Sequence, residues 1–236
     1  MVKTSTATKI RTQIENSEDR FWRVSDFGGY PSPAVCKTLS RLTQIGTIER
    51  VSKGIYYRPR ETRFGLSHPS DSEVRKLPIA QVIHPAGITA ANLLGFTTQN
   101  SMHGEFATSA NSAPMKIIGA PARLHTRRPI TWDNLSPTDA ALLDFLRSDG
   151  HFSELSPEKT KKHLLKLMKE GDRFHRFLEV AYAEPPRVRA MLGAIGQELR
   201  KSQKSLKVLR NSLNPLSTFN FGILKNLKYA KEWQAK

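Results

Sequence analysis

Between Ser32 and Arg58 the apolar positions change their period once. Val35, Leu39, Leu42 and Ile45 recur at steps of three and four, which puts them on one face of a helix, and Lys37, Ser40, Arg41 and Gln44 fall on the opposite face. Such a helix packs on one side and offers a polar side to a partner. Ser32 is positioned to cap its N-terminus, Pro33 suits the first helical position, where no N–H is needed, and Gly46 can take the left-handed conformation that closes the last turn. Beyond Gly46 the pattern shortens to TIERV and IYYR. These β-branched or aromatic runs are joined through Ser52, Lys53 and Gly54, read as a three-residue hairpin loop.

Upstream, Ala7, Ile10 and Ile14 mark one face of a first helix over residues 4–16. Phe21, Trp22 and Val24 read as a short extended entry. Ser25 can cap a single turn through Asp26 and Phe27, and Gly28, Gly29 and Pro31 force a turn before the helix at 32–45. Helix, short helix, turn, helix and hairpin within 63 residues is the order of a winged helix-turn-helix, in which the second helix of the motif enters the major groove and the wing touches phosphate or the minor groove.

Residues 64–72 collect Pro, Gly and Ser without periodicity and read as a linker between a DNA-binding domain at 1–63 and a second domain at 73–236. In the second domain IAQVIHPAG is strand-like and ITAANLLG makes a short helix ended by Gly95. HGEFATS, MKIIGA and ARLHT predict a small antiparallel sheet. Four helices follow: one opened by Ser136-Pro137, one by Ser156-Pro157 running through Met168, one over about 173–182, and RVRAMLGAIGQELRKS after Pro185-Pro186. In the last, Met191, Ile195 and Leu199 form the stripe, and Gly193 and Gly196 permit close packing. The apolar residues of LNPLSTFNFGILKNLKYAKEW are enough to dock it. The fold class is therefore α+β, a winged helix-turn-helix followed by a mixed α/β domain with a small antiparallel sheet and a helical C-terminal half.

A recognition helix needs short polar and basic side chains near its N-terminus, because that end faces base edges and its unsatisfied N–H groups favour phosphate. Ser32, Lys37, Thr38, Ser40, Arg41 and Gln44 are such groups. Arg41 is the first choice for a guanine, since its planar fork matches O6 and N7, and Lys37 suits phosphate. In the wing Arg50, Lys53 and Arg58 can neutralise backbone charge, with Lys53 at the tip.

Charge sharpens this. The formal net charge is +16, distributed as +6 over residues 1–63, −1 over 64–156 and +11 over 157–236. A charge run alone is ordinarily a solvated face, but one-signed excess over whole segments favours a polyanionic partner or an acidic protein. Lys201, Lys204, Lys207 and Arg210, at the end of the fourth helix, are therefore candidates for DNA phosphate. The mean hydropathy of −0.46 and the lack of an apolar run near the ~20 residues that span a bilayer predict a protein with no membrane partner. With no apolar leader at the N-terminus, the expected location is the cytoplasm. The single Cys36 reads as a small packed residue at the core boundary.

No enzyme motif is present: no Gly-x-x-x-x-Gly-Lys-Ser/Thr loop, no Gly-x-Ser-x-Gly elbow and no His-Glu-x-x-His pair. His163 and His175 suit polar helix faces, and Asp139, Asp144 and Asp149 lack a carboxylate partner at short spacing. The expectation is a protein without catalytic residues, metal or cofactor.

Four segments form a recognisable set: RVSKGIYYRPR (50–60), HPAGITAANLLGFTTQ (84–99), EPPRVRAMLGAIGQEL (184–199) and LNPLSTFNFG (213–222). In this order they resemble the AbiEi-like antitoxins of bacterial type IV toxin–antitoxin (abortive infection, phage-defence) systems, over essentially the whole chain. The resemblance implies a winged helix-turn-helix that represses its own operon through operator DNA. It also implies a C-terminal domain that counteracts a nucleotidyltransferase-type toxin, by direct binding or indirectly. The matching DNA-binding positions are Lys37, Ser40, Arg41 and Lys53. Pro78 departs from the more continuously helical start of that domain in relatives. No dimerisation helix is evident, so a monomer acting cooperatively on repeated half-sites is expected. The alternative is a plain winged-helix regulator whose C-terminal domain senses a ligand or oligomerises.

Overall fold

The computed structural model describes residues 5–17, 20–63, 65–67, 74, 77, 81–100, 104–113, 115 and 122–236. Two units emerge, Met1–Ile79 with Pro114–Pro121, and Ala80–Ala113 with Ala122–Lys236. Helices and small sheets are mixed, so the fold is α+β.

In the first unit helix α1 (Thr6–Glu15) is capped by the Ser5 hydroxyl, which accepts from the Thr8 N–H, and buries Ile10 and Ile14; Ala7 is exposed. Strand β1 (Arg20–Arg23) leads into a 3₁₀ turn, Val24–Phe27. Asp26, rather than Ser25, holds that turn: its carboxylate reaches back to the Arg23 N–H at 2.8 Å.

Helix α2 (Ser32–Gln44) begins at Ser32 itself, with Pro31 before it and no side-chain cap. Ser32 is thus a first-turn residue and not the cap, because two prolines flank it and already fix the backbone for helix entry. At the other end Gly46, at φ +78°, donates to the Thr43 carbonyl at 3.2 Å, and Thr47 donates to Leu42 at 2.9 Å. This paired closure turns the chain sharply. Ile45, expected in the core, is 63% exposed because it sits at the turn, and Ile48 takes the buried place instead.

Strands β2 (Glu49–Ser52) and β3 (Ile55–Arg58) complete an antiparallel sheet in the order β1-β3-β2. The connection is a two-residue turn, Lys53-Gly54, with a bulge: Arg50 opposes Tyr56 and Ser52 opposes Ile55, leaving Val51 as the extra residue. Gly54, at φ +74°, supplies the positive φ such a turn needs. One sheet face gives Trp22 and Tyr56 to a core shared with Ile10, Ile14, Val35, Leu39 and Leu42. The other carries Val51 and Tyr57 against Val74. Each fully buried aliphatic here is worth about 1.5–3 kcal/mol over its exposed state. Across the start of the stretch read as a linker, β4 (Glu61–Thr62) and β5 (Gly65–Leu66) form a hairpin, and the Ser67 hydroxyl accepts from the Arg60 N–H at 2.7 Å.

The second unit opens with β6 (His84–Pro85) and α3 (Gly87–Leu93), closed by Gly95 at φ +76°. Strand β7 (Glu105–Ala107) pairs antiparallel with β6 but parallel with β8 (Arg123–His125), so the sheet is mixed and not antiparallel as expected. The residues between β7 and β8 are numerous enough to bring the chain back in the same direction, which a hairpin turn cannot do. MKIIGA, apart from Met115, and Pro78 lie outside the described residues.

A 3₁₀ segment (Ile130–Asn134) precedes α4 (Pro137–Arg147), α5 (Pro157–Lys169) and α6 (Arg173–Val180), then another 3₁₀ turn (Ala181–Ala183) and α7 (Pro186–Glu198). Ser136 and Ser156 cap α4 and α5 as read, accepting from Asp139 and Lys159. The long fourth helix of the sequence reading is in fact two. Arg200 stands at φ +56°, Ser202 caps anew, and α8 (Gln203–Asn211) follows. Helix α7 is buried along most of its length, with Gly193 against Trp233 and Gly196 against Phe174 and Leu206. The tail docks through Phe221, Leu224 and Trp233, all at most 1% exposed.

Candidate nucleic-acid interface

Helix α2 owes its position to Val35, Leu39 and Leu42, which lock it into the core of the first unit. Its outward side carries Ser32, Cys36, Lys37, Ser40, Arg41 and Gln44, all exposed. Lys37 and Arg41 form no ion pair among the described residues, so both charges are available to a partner. Two expectations are corrected here. Thr38 is only 7% exposed and its hydroxyl donates to the Ala34 carbonyl at 2.8 Å, because it stands one position before Leu39 on the packed side. Cys36 is exposed rather than at the core boundary, because it falls on the outward arc between Ser32 and Lys37.

In the hairpin, Lys53 is exposed at the turn and Arg50 is exposed on β2, with its Nε–H 3.4 Å from the Ser52 carbonyl. Arg58 is half-buried and stands opposite Arg20 across the β1/β3 pair. The Arg20 guanidinium lies 3.8 Å from the centroid of the Trp22 ring. Arg20 thus joins Arg58 at one end of the sheet, a neighbour that the sequence reading missed because only strand pairing brings position 20 to position 58. Lys37, Ser40 and Arg41 on α2, Arg50 and Lys53 in the hairpin, and Arg58 with Arg20 at the far end of the sheet are the basic and polar groups of this unit. Groups of these kinds can bind phosphate oxygens and base edges.

The four residues of the C-terminal basic set differ in their surroundings. Lys201, in the break between α7 and α8, is half-buried with its ammonium 5.5 Å from the Phe174 ring. Arg210 lies 4.3 Å over Trp233 and donates to the Glu232 carbonyl at 3.1 Å. Arg210 is nevertheless exposed, as are Lys204 and Lys207 on α8, so these three present their charge to solvent more fully than Lys201 does.

Asp139, Asp144, Asp149 and Glu184 are each paired with arginine at long range. Asp139, 1% exposed, accepts from Arg173 and Arg176 at 2.7 and 2.9 Å. Asp144 accepts from Arg128 and from the Gly87 N–H, each at 2.7 Å. Glu184 accepts from Arg147 and from the Trp132 indole, each at 2.7 Å. Asp149 faces Arg187 at 2.6 Å, and burial holds its carboxyl above the usual range against the pull of Arg187 and His151. His163 is half-buried, not on a polar face: its Nε2–H donates to the Leu94 carbonyl at 2.6 Å, edge-on to Phe96. His175 is exposed, 3.7 Å from Glu179. Among the described residues no three His, Cys, Asp or Glu side chains are gathered as a metal would require, and no helix is long and apolar enough to cross a membrane.

Residues 9–148, more than half of the chain, match the model of a family of unknown function, DUF6088, and the chain belongs to that family. The match takes in the helices and sheet of the first unit and ends just past α4. No curated protein and no solved structure matches the chain.

Proposed function

We propose that the first unit is a winged helix-turn-helix and that the protein is a DNA-binding autorepressor and antitoxin of the AbiEi-like type. In this reading α2 enters the major groove, with Arg41 on a guanine and Lys37 on phosphate, and the Lys53 turn rests on the backbone. The observation that carries the reading is α2 itself: one face locked into a core, the other exposing Lys37, Ser40, Arg41 and Gln44 without internal ion pairs. The antiparallel sheet β1-β3-β2 with its exposed Lys53 turn supports it, because a helix followed in sequence by a basic hairpin is the element order of a winged helix. The antitoxin half rests on the four-segment resemblance, with Lys204 and Lys207 as charges for phosphate or for an acidic toxin surface.

Two experiments test it. The full chain is titrated onto the DNA upstream of its own reading frame at several salt concentrations. The neighbouring reading frame is then expressed with and without the full chain, and growth is followed. Specific, salt-dependent binding together with rescue supports the proposal. Binding no tighter than to unrelated DNA refutes the repressor half, and a harmless or unrescued neighbour refutes the antitoxin half.

A further inference from the structure

A second feature lies entirely within the second unit. A cleft of about 350 Å³ opens between β7, β8, the C-terminal end of α4 and the start of α7, and four arginines line it: Arg123, Arg128, Arg147 and Arg187. That volume is in the range of small-molecule sites, about 300–1,000 Å³.

Three of the arginines are fixed by acceptors, of which Asp144 also lines the cleft. Asp144 takes one N–H of Arg128 and Glu184 takes one of Arg147, and both carboxylate side chains are at most 5% exposed. Arg187 is held by Asp149 and by the Arg147 carbonyl, both at 2.6 Å. The guanidiniums of Arg128 and Arg147 also lie 5.5 and 5.3 Å from the ring of buried Trp132. Rigid, buried anchoring of this kind leaves most of the five N–H donors of each guanidinium uncommitted and removes the entropy cost of ordering them on binding.

Two groups are left unmet. The buried Nε–H of Arg128 has no acceptor. Arg123 is exposed at the rim and has no carboxylate partner among the described residues. A buried guanidinium N–H without an acceptor is costly, and a water or an oxyanion satisfies it, the oxyanion more strongly. The acid nearest Arg123 in the sheet, Glu105, is turned to His125, with its Oε2 3.1 Å from Nε2. It is held against Gly87, where a Cβ would overlap its carboxylate. Phe152 and Pro185 add apolar wall.

We infer that this cleft binds the phosphate monoester of a small, mononucleotide-sized molecule, with Arg123 and Arg128 as the residues that grip the phosphate. The ring or sugar lies along Phe152 and Pro185. The inference stands whether or not α2 contacts DNA.

The test is calorimetric titration of the full chain with adenosine 5′-monophosphate, inorganic phosphate and adenosine. Arg123→Gln and Arg128→Lys are compared with a Lys204→Gln/Lys207→Gln control. Arg123→Gln alters an exposed side chain, and Arg128→Lys keeps a cation for Asp144, so both fold. The expected result is binding of the monophosphate, weaker binding of phosphate competing for the same site, and none of adenosine, with each arginine variant weakening the monophosphate at least tenfold. The inference is overturned if no phosphate compound binds at millimolar concentration. Adenosine binding as tightly as the monophosphate overturns it too. So does loss of binding in the lysine control but not in the arginine variants, which would mark general attraction to basic surface.

Discussion

The six-membered ring of Trp233 occupies the space that a side chain at Gly193 would need. A Cβ built on Gly193 would overlap Cε3 and Cζ3 of the indole, while the indole N–H donates to Gln197, one turn further along α7, at 2.7 Å. Gly193→Ala should therefore destabilise the second unit by about 1–3 kcal/mol, the usual cost of overpacking a filled core. Trp233→Leu combined with Gly193→Ala should cost less than the two changes summed, since the smaller side chain relieves the overlap. Urea unfolding of the three variants measures this, and strict additivity would contradict it.

On the first unit the outward face of α2 and the hairpin turn should behave differently. Arg41→Ala should weaken binding to the upstream DNA by about 1–3 kcal/mol and relax preference at one base position. Lys53→Gln should weaken binding to all sequences alike and lower the slope of log affinity against log salt by about one. Anisotropy titrations over a salt series, on cognate and scrambled DNA, separate the two; an identical response to both changes would remove Arg41 from base contact.

Thr38 supplies an internal control. Because its hydroxyl is spent on the Ala34 carbonyl inside the packed face, Thr38→Val should leave DNA affinity unchanged within error. Stability should move by no more than about 1 kcal/mol, the net worth of one such bond. A loss of binding comparable to that of Arg41→Ala would mean that α2 presents a different face.

A pH effect follows from His84. Its Nε2–H donates to the Trp132 carbonyl at 2.8 Å, and its Nδ1 is buried without a partner. Burial lowers its pKa, against the weaker opposing effects of the Trp132 carbonyl and Asp133. The folded imidazole thus resists a proton that the unfolded one accepts from about pH 6.5 downward. The unfolded state then binds more protons, so this contribution to stability is whole above that pH and is lost as pH falls toward the folded pKa. Urea midpoints between pH 7.5 and 5 should decline, and His84→Gln should flatten the decline. An equal slope in both proteins would exclude His84 as its source.

Where the sequence was legible, a local rule applied. Ser136 and Ser156 announced α4 and α5 because a capping hydroxyl acts within three residues, and the period of Val35, Leu39 and Leu42 announced the buried face of α2. Misreadings came where neighbours in space decided. Position 202 offers nothing to the eye but a serine within a polar run, yet it restarts a helix. Ile45 followed the helical period but stands where the chain reverses. The parallel pairing of β7 with β8 and the union of Arg123, Arg128, Arg147 and Arg187 depend on contacts between distant segments, for which no local spacing is a signal.

Helix α4 is tied on three sides at once. Asp139 holds Arg173 and Arg176, Asp144 holds Arg128 and the backbone of Gly87, and Arg147 holds Glu184. An opening that exposed α4 would strand charge at Arg128, on α6 and at the approach to α7 together, so no partial fraying of this helix is cheap. Its amide protons should be the last in the second unit to exchange with solvent deuterium. They would leave only when the whole unit unfolds, and so would report its global stability residue by residue.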